Sequence, residues 1–304
     1  MKAIRVIHLA AMLMPALTAS GETLADFRLV QENKAILQSS ALKEASGMAV
    51  SSRDNGLLWI INDSGAAPEF HLMETDGTYR GKATLTNARN VDWEDLVSFN
   101  MDGNAWLMAA DTGDNTAKRE TCTLYVAREP DAPAAGKSLD AATRIAWEIL
   151  FRYEDGPRDC ESVAVDTHAG KILLISKRTE PPVVYELPLK PTDGKPVQVA
   201  RKIGETRVTA PMDSLIPYRD EPTGLDITPD HSLAAVVTYY GVFLFPRKPG
   251  ESWAEAFSRK PASPAPHLLA QAESVAFSKD GASLFVVSEG KASKIVRYRK
   301  QKRE

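Results

Sequence analysis

A short phrase recurs five times along the chain: Ser46-Gly47-Met48-Ala49-Val50, Glu94-Asp95-Leu96-Val97-Ser98, Glu161-Ser162-Val163-Ala164-Val165, Thr223-Gly224-Leu225-Asp226-Ile227 and Glu273-Ser274-Val275-Ala276-Phe277. Each copy opens on a polar residue and a small or acidic one. A short strand follows, then a turn and a second apolar run. Self-similarity at a period of about 50 to 67 residues belongs to propellers and solenoids, whose units bury their cores only against neighbours.

The apolar runs behind the phrases read Leu57-Leu58-Trp59-Ile60-Ile61, Ala105-Trp106-Leu107-Met108-Ala109-Ala110, Lys171-Ile172-Leu173-Leu174-Ile175, Ala234-Ala235-Val236-Val237-Thr238 and Leu284-Phe285-Val286-Val287. Such continuous runs suit strands covered on both faces. Asp, Asn and Gly in the intervening turns, as in Arg53-Asp54-Asn55-Gly56 and Met101-Asp102-Gly103-Asn104, supply hairpin chemistry. Weaker third strands follow at Thr123-Leu124-Tyr125-Val126, Val183-Val184-Tyr185-Glu186-Leu187 and Val242-Phe243-Leu244-Phe245. The expectation is an all-β chain forming a single β-propeller of four-stranded blades. Five blades are counted, and the N-terminal strand around Ala35-Ile36-Leu37 closes the last one. A six-bladed form, with its extra blade between residues 162 and 224, is the alternative.

Residues 1–25 read as a signal peptide: Lys2 and Arg5 precede an apolar stretch from Ile7 to Ala19, and small residues follow. That leaves 26–304 as the propeller domain, in the periplasm or secreted, with no later run apolar enough to span a bilayer. The formal net charge of -3 shows no basic excess of the kind a nucleic-acid binder carries. A monomer is expected. Cys122 and Cys160 are the only cysteines, and either a disulfide or two separate thiols fits.

In a propeller the start of each first strand and the end of each second strand share one face. The starts carry Ser46, Glu94, Glu161, Thr223 and Glu273. The ends carry Asn62-Asp63, Asp111-Thr112, Lys177-Arg178, Tyr239 and Glu289. Such a ring crowds carboxylates, which raises their proton affinity unless a base or a cation compensates. Lys177 and Arg178 are the bases available. Ca²⁺, which takes oxygen ligands in flexible cages, is the expected cation, with Glu94, Glu161, Glu273 and Asp111 as candidate ligands. Asn62, Asp63, Asp111, Asp114, Arg119, Lys177, Arg178, Tyr239 and Glu289 are candidate ligand-binding residues. Glu161 and Glu94 are the candidate catalytic pair. Asp111-Thr112-Gly113-Asp114-Asn115 lacks the spacing of an EF-hand loop, and Arg119 is placed to pair with Asp111 or Asp114. No Gly-x-Ser-x-Gly elbow occurs, and no histidine falls at a repeat position on this face.

Asn62-Asp63-Ser64-Gly65, Asp92-Trp93-Glu94-Asp95, Asp111-Thr112-Gly113-Asp114-Asn115 followed by Arg119, Cys160-Glu161-Ser162-Val163-Ala164-Val165 and Ser176-Lys177-Arg178 together resemble the signature of secreted bacterial β-propeller proteins. These group with the phytase-like and strictosidine-synthase-like, or gluconolactonase-like, propellers. The resemblance covers roughly Glu44 to Gly241. For lactonases of the gluconolactonase type it implies a central metal held by Glu, Asn and Asp, for which Glu94 or Glu161 with Asn62 and Asp111 would stand.

Three functions are expected in order. The first is a binding protein with an acidic central site for Ca²⁺ or a small polar or anionic ligand. The second is a metal-dependent hydrolase of phosphate esters or lactones, with Lys177 and Arg178 clamping an anion. The third is a protein-interaction scaffold using loops such as Asp131–Ala142 or Arg259–His267.

Overall fold

The computed structural model describes residues 27–262, 265–290 and 293–302, so the expected signal segment lies outside them. Each phrase is the first strand of an antiparallel meander, and the apolar run behind it is the second. A strand β1 (Phe27–Ile36) precedes the repeats. The first repeat is β2 (Ala45–Val50), β3 (Leu57–Asn62), β4 (Glu69–Glu74) and β5 (Tyr79–Thr86). The second is β6 (Trp93–Met101), β7 (Asn104–Asp111), β8 (Cys122–Arg128) and β9 (Leu139–Tyr153). The third is β10 (Cys160–Asp166), β11 (Lys171–Ser176), β12 (Val183–Pro188) and β13 (Gln198–Glu205). The fourth is β14 (Pro222–Ile227), β15 (Leu233–Thr238), β16 (Gly241–Pro246), a short helix α1 (Trp253–Ser258) and β17 (Ala265–Pro266). The fifth is β18 (Ala272–Phe277), β19 (Ser283–Ser288) and β20 (Lys294–Lys302), with β1 antiparallel to β20 at its outer side.

The hydrogen bonding corrects the expected single closed propeller of four-stranded blades. It gives three open sheets, of four, twelve and four strands, and the twelve-stranded one is mixed. The cause is β9, a 15-residue strand whose exposure alternates along its length. Its later half is antiparallel to β8, and Phe151–Tyr153 is also parallel to Gln198–Ala200 of β13. Its first half, Leu139–Arg144, is parallel to Gly81–Thr86 of β5. One strand therefore covers the open edges of two other repeats, which satisfies backbone groups that separate blades would leave to solvent. Leu139–Ala142, expected as part of the loop Asp131–Ala142, belongs to this strand. The six-bladed alternative fails too: among the described residues the 162–224 interval holds β11, β12 and β13 and no further meander.

The first strands β2, β6, β10, β14 and β18 contact one another in cyclic order, without ladder hydrogen bonds between them. They approach closely because the second residue of each phrase is small or hydrogen-bonded. A Cβ on Gly47 would lie 2.5 Å from the Leu96 amide nitrogen. Asp95 takes this position in β6 and ties the ring together. It is fully buried and accepts from the Val163 amide at 2.8 Å and from Ser274 Oγ at 3.3 Å. Burial raises its proton affinity well above the carboxylate norm, against the amides of Val163, Leu96 and Leu225. The core lies between the layers, for example Trp59, Phe70 and Trp93, with Phe70 and Trp93 stacked at 6.0 Å. Cys122 and Cys160 are both free and buried in one apolar cluster, so no disulfide links them.

Candidate acidic cation site

At the start of every first strand the ladder slips. Trp93 faces Asp111 and Asp95 faces Ala110, which leaves Glu94 unpaired. Cys160 and Ser162 skip Glu161, Pro222 and Gly224 skip Thr223, and Ala272 and Ser274 skip Glu273. In β2 the slip passes over Ser46 and Gly47. A bulge takes its extra residue out of the strand's alternation and re-aims the side chain. The polar residue of the phrase is thus the bulged residue in each repeat. In the fourth repeat Thr223 Oγ1 is used locally, donating to the Ala272 carbonyl at 2.6 Å.

The bulges open onto a cavity of about 150 Å³. Of the expected residues, Asp63, Glu94, Glu161, Lys177, Tyr239, Glu273 and Glu289 line it, joined by Ser46, Asn115 and Gln271. Glu94, Glu161, Lys177 and Glu273 are buried. Lys177 Nζ meets Glu161 Oε2 at 2.5 Å and the Tyr239 hydroxyl at 3.0 Å. Ser46 Oγ donates to Glu94 Oε2 at 3.0 Å.

Other expected residues serve the walls from behind. Asn62 Oδ1 accepts from the amides of Lys43 and Glu44, and its Nδ2 donates to the Ala41 carbonyl, which fixes the approach to β2. Asp111 accepts from the amides of Val91 and Asp92 and pairs with Arg119 at 2.7 Å. Asp114 Oδ2 accepts from the Arg119 amide. Arg178 pairs with Asp159.

The charges do not balance. Burial, with Glu161, Asp63 and Asp92 adding, raises Glu94 well above the usual carboxylate range. Burial pushes Glu273 up to about 7, with Glu289 adding and Lys177 opposing. Asp92 is pushed up to about 6 by burial and by Asp63. For Lys177 and Glu161 the directions disagree. Burial raises Glu161 toward its neutral form, whereas Lys177, despite burial, is held charged by Glu161, Tyr239 and Glu273. The 2.5 Å contact favours an ionised pair, because charge-assisted hydrogen bonds are shorter and stronger than neutral ones.

Two carboxylate trios share Glu94. Oxygens of Asp63, Asp92 and Glu94 lie within 4.8 Å of one another, as do those of Glu94, Asp159 and Glu161. In the second trio Glu161 and Asp159 are paired with Lys177 and Arg178, which leaves Glu94. Among the described residues no carboxylate of the first trio is in an ion pair. It is packed over bare backbone: a Cβ on Gly113 would fall 2.4 Å from Glu94 Oε1 and 2.5 Å from Asp92 Oδ2. Three oxygens so placed, with half-buried Asp63 and Asp92 open on one side, fit a hard cation that keeps some water.

The expected site set lacked Asp92, Asp159, Asn115 and Gln271. Three of these carry a legible signal. Asp92, Asp159 and Gln271 each stand two residues before a bulged glutamate, at equivalent positions of three repeats.

No known protein family matches the chain, and no curated protein matches it. Among solved structures it is similar to a luciferin-regenerating enzyme, at 11% identity and a TM-score of 0.46, over 88% of this chain and 95% of that one.

Proposed function

We propose that this is a cation-binding protein, with Asp63, Asp92 and Glu94 as ligands and Ca²⁺ as the cation best suited to them. The observation that carries the reading is that Asp63, Asp92 and Glu94 have no ion-pair partner among the described residues, whereas Glu161 and Asp159 beside them do. Both bases on this face are already engaged by Glu161 and Asp159, which disfavours an anion as the primary ligand. The signal-like composition of residues 1–25 supports a periplasmic or secreted location for such a protein. A metal-dependent hydrolase of phosphate esters or lactones is the second reading. It is favoured by Glu273, whose pKa near 7 suits a general base in the same cavity.

The test is a thermal melt of metal-free protein with Ca²⁺, Mg²⁺, Mn²⁺ or Zn²⁺ added. A ligand of the folded state at a hundredfold excess over Kd adds about 2.7 kcal/mol, a rise of about 5 °C or more. Ca²⁺ should produce it, and Glu94→Gln should abolish it. If none of the four metals shifts the melt, the reading is wrong.

A further inference from the structure

Beside the acidic cavity lies a larger hollow of about 680 Å³, and Tyr239 and Gln271 belong to the walls of both. Its lining is mainly apolar: Ile216, Pro217 and Tyr218 from the segment between β13 and β14, and Leu269 and Ala270 from the segment before β18. Arg178 reaches it already paired with Asp159. The surface around it is unusual for this molecule. Met212, Leu215, Tyr218 and Leu268 are 91, 96, 72 and 82% exposed. With Ile216 they make five of the seven large apolar residues exposed among the described residues, all on these two segments. Apolar side chains grouped in this way mark a surface that something covers.

We propose that the hollow and the cavity form one bipartite site for an extended peptide in which a lysine or arginine is flanked by apolar residues. The inference rests on the reading that the acidic cavity takes positive charge. Charge complementarity selects the head. Asp63, Glu94, Glu161, Glu273 and Glu289 face the cavity against one base, Lys177. Tyr239 stands at the junction, its hydroxyl 3.5 Å from Glu273 Oε1 and its ring 5.1 Å from Lys177 Nζ, so a cation already sits against this wall. Size divides the ligand, since the small cavity admits a charged head and the hollow admits apolar neighbours. Extent selects a peptide over a small amine. Met212 and Leu215 lie outside the hollow's lining, and only an extended occupant covers them.

The experiment is fluorescence anisotropy on the whole protein. The probe is a dye-labelled nonapeptide with a central lysine between leucine pairs and Gly-Ser ends. Comparison peptides replace the lysine with glutamine or the leucines with serine, and n-butylamine serves as a small competitor. The protein variant combines Ile216→Ser with Tyr218→Asn, because Tyr218 has a φ of 53°, which asparagine tolerates. Each peptide change and the double variant should weaken binding about tenfold or more. The variant's Ca²⁺ melting shift should stay as in the parent. Equal binding of the serine-flanked peptide, or equal binding by the double variant, overturns the proposal. So does n-butylamine displacing the probe at the probe's own affinity, which would assign the site to small amines. A normal Ca²⁺ shift without peptide binding removes the hollow alone. Loss of both removes the acidic-cavity reading with it.

Discussion

Lys177 is the only base on the cavity wall, 3% exposed and bonded to both Glu161 and Tyr239. Lys177→Met keeps the length and removes the charge, which strands Glu161 in a buried site. The expected loss is about 3–5 kcal/mol near pH 7, as for other buried pairs broken on one side. Burial pushes Glu161 up to about 8 even beside Lys177, so the stranded carboxyl gives up its proton only above neutrality and the loss should be larger at pH 9 than at pH 7. Urea unfolding at the two pH values checks this, and equal losses would show that Lys177 acts by packing. At this scale the sequence disclosed which residue types gather on the face. It did not disclose their division of labour. Asn62 and Asp111 look like ligands in a list of polar strand ends, yet both spend their oxygens on backbone amides. Only three-dimensional hydrogen bonding separates a wall residue from its support.

Among the elements, β9 departs furthest from what its sequence suggests. Alternation reveals that a stretch is a strand and which face is wet, but not which edge it joins. The first halves of the repeats were legible because each hairpin is closed by a short turn. The parallel partners β5 and β13 were not, since no local turn encodes a parallel pair. The join with β5 depends on Gly81, whose φ is 109° and where a Cβ would lie 2.1 Å from the Leu139 carbonyl oxygen. Gly81→Ala should therefore cost about 2 kcal/mol or more, from strain and from parting the two strands. Chemical denaturation measures it. A loss within about 0.5 kcal/mol, the range of a neutral surface change, would mean that the join carries little stability.

For the whole molecule, the fivefold repeat was legible and the closed, separate blades inferred from it were not. The buried carboxyls make stability depend on pH in an unusual direction. Burial pushes Glu273 and Asp226 each up to about 7, and raises Glu94 as well. At these groups the folded state binds more protons than the unfolded chain, so their contribution to stability is fully present below the ordinary carboxylate range and is lost as pH rises toward 7. Glu273 alone should contribute a fall of about 2 kcal/mol between pH 5 and 8. Asp166 works oppositely under stronger acid. Despite burial, His231, the Ala169 amide and Trp253 hold it well below the ordinary range. Melting temperatures across pH 5 to 8 should decline, and less steeply in Glu273→Gln. A flat or rising profile in both proteins contradicts the buried-acid account.

The bulges carry one further consequence. Each repeat contributes its own fragment of the cavity, from Ser46 in β2 to Glu289 just after β19, so no contiguous piece of the chain holds the site. Occupancy is then a census of assembly. A state that has released any one repeat has lost the ligand, and a bound ligand distributes its free energy over all the repeats at once, including the sheet where β1 and β20 meet.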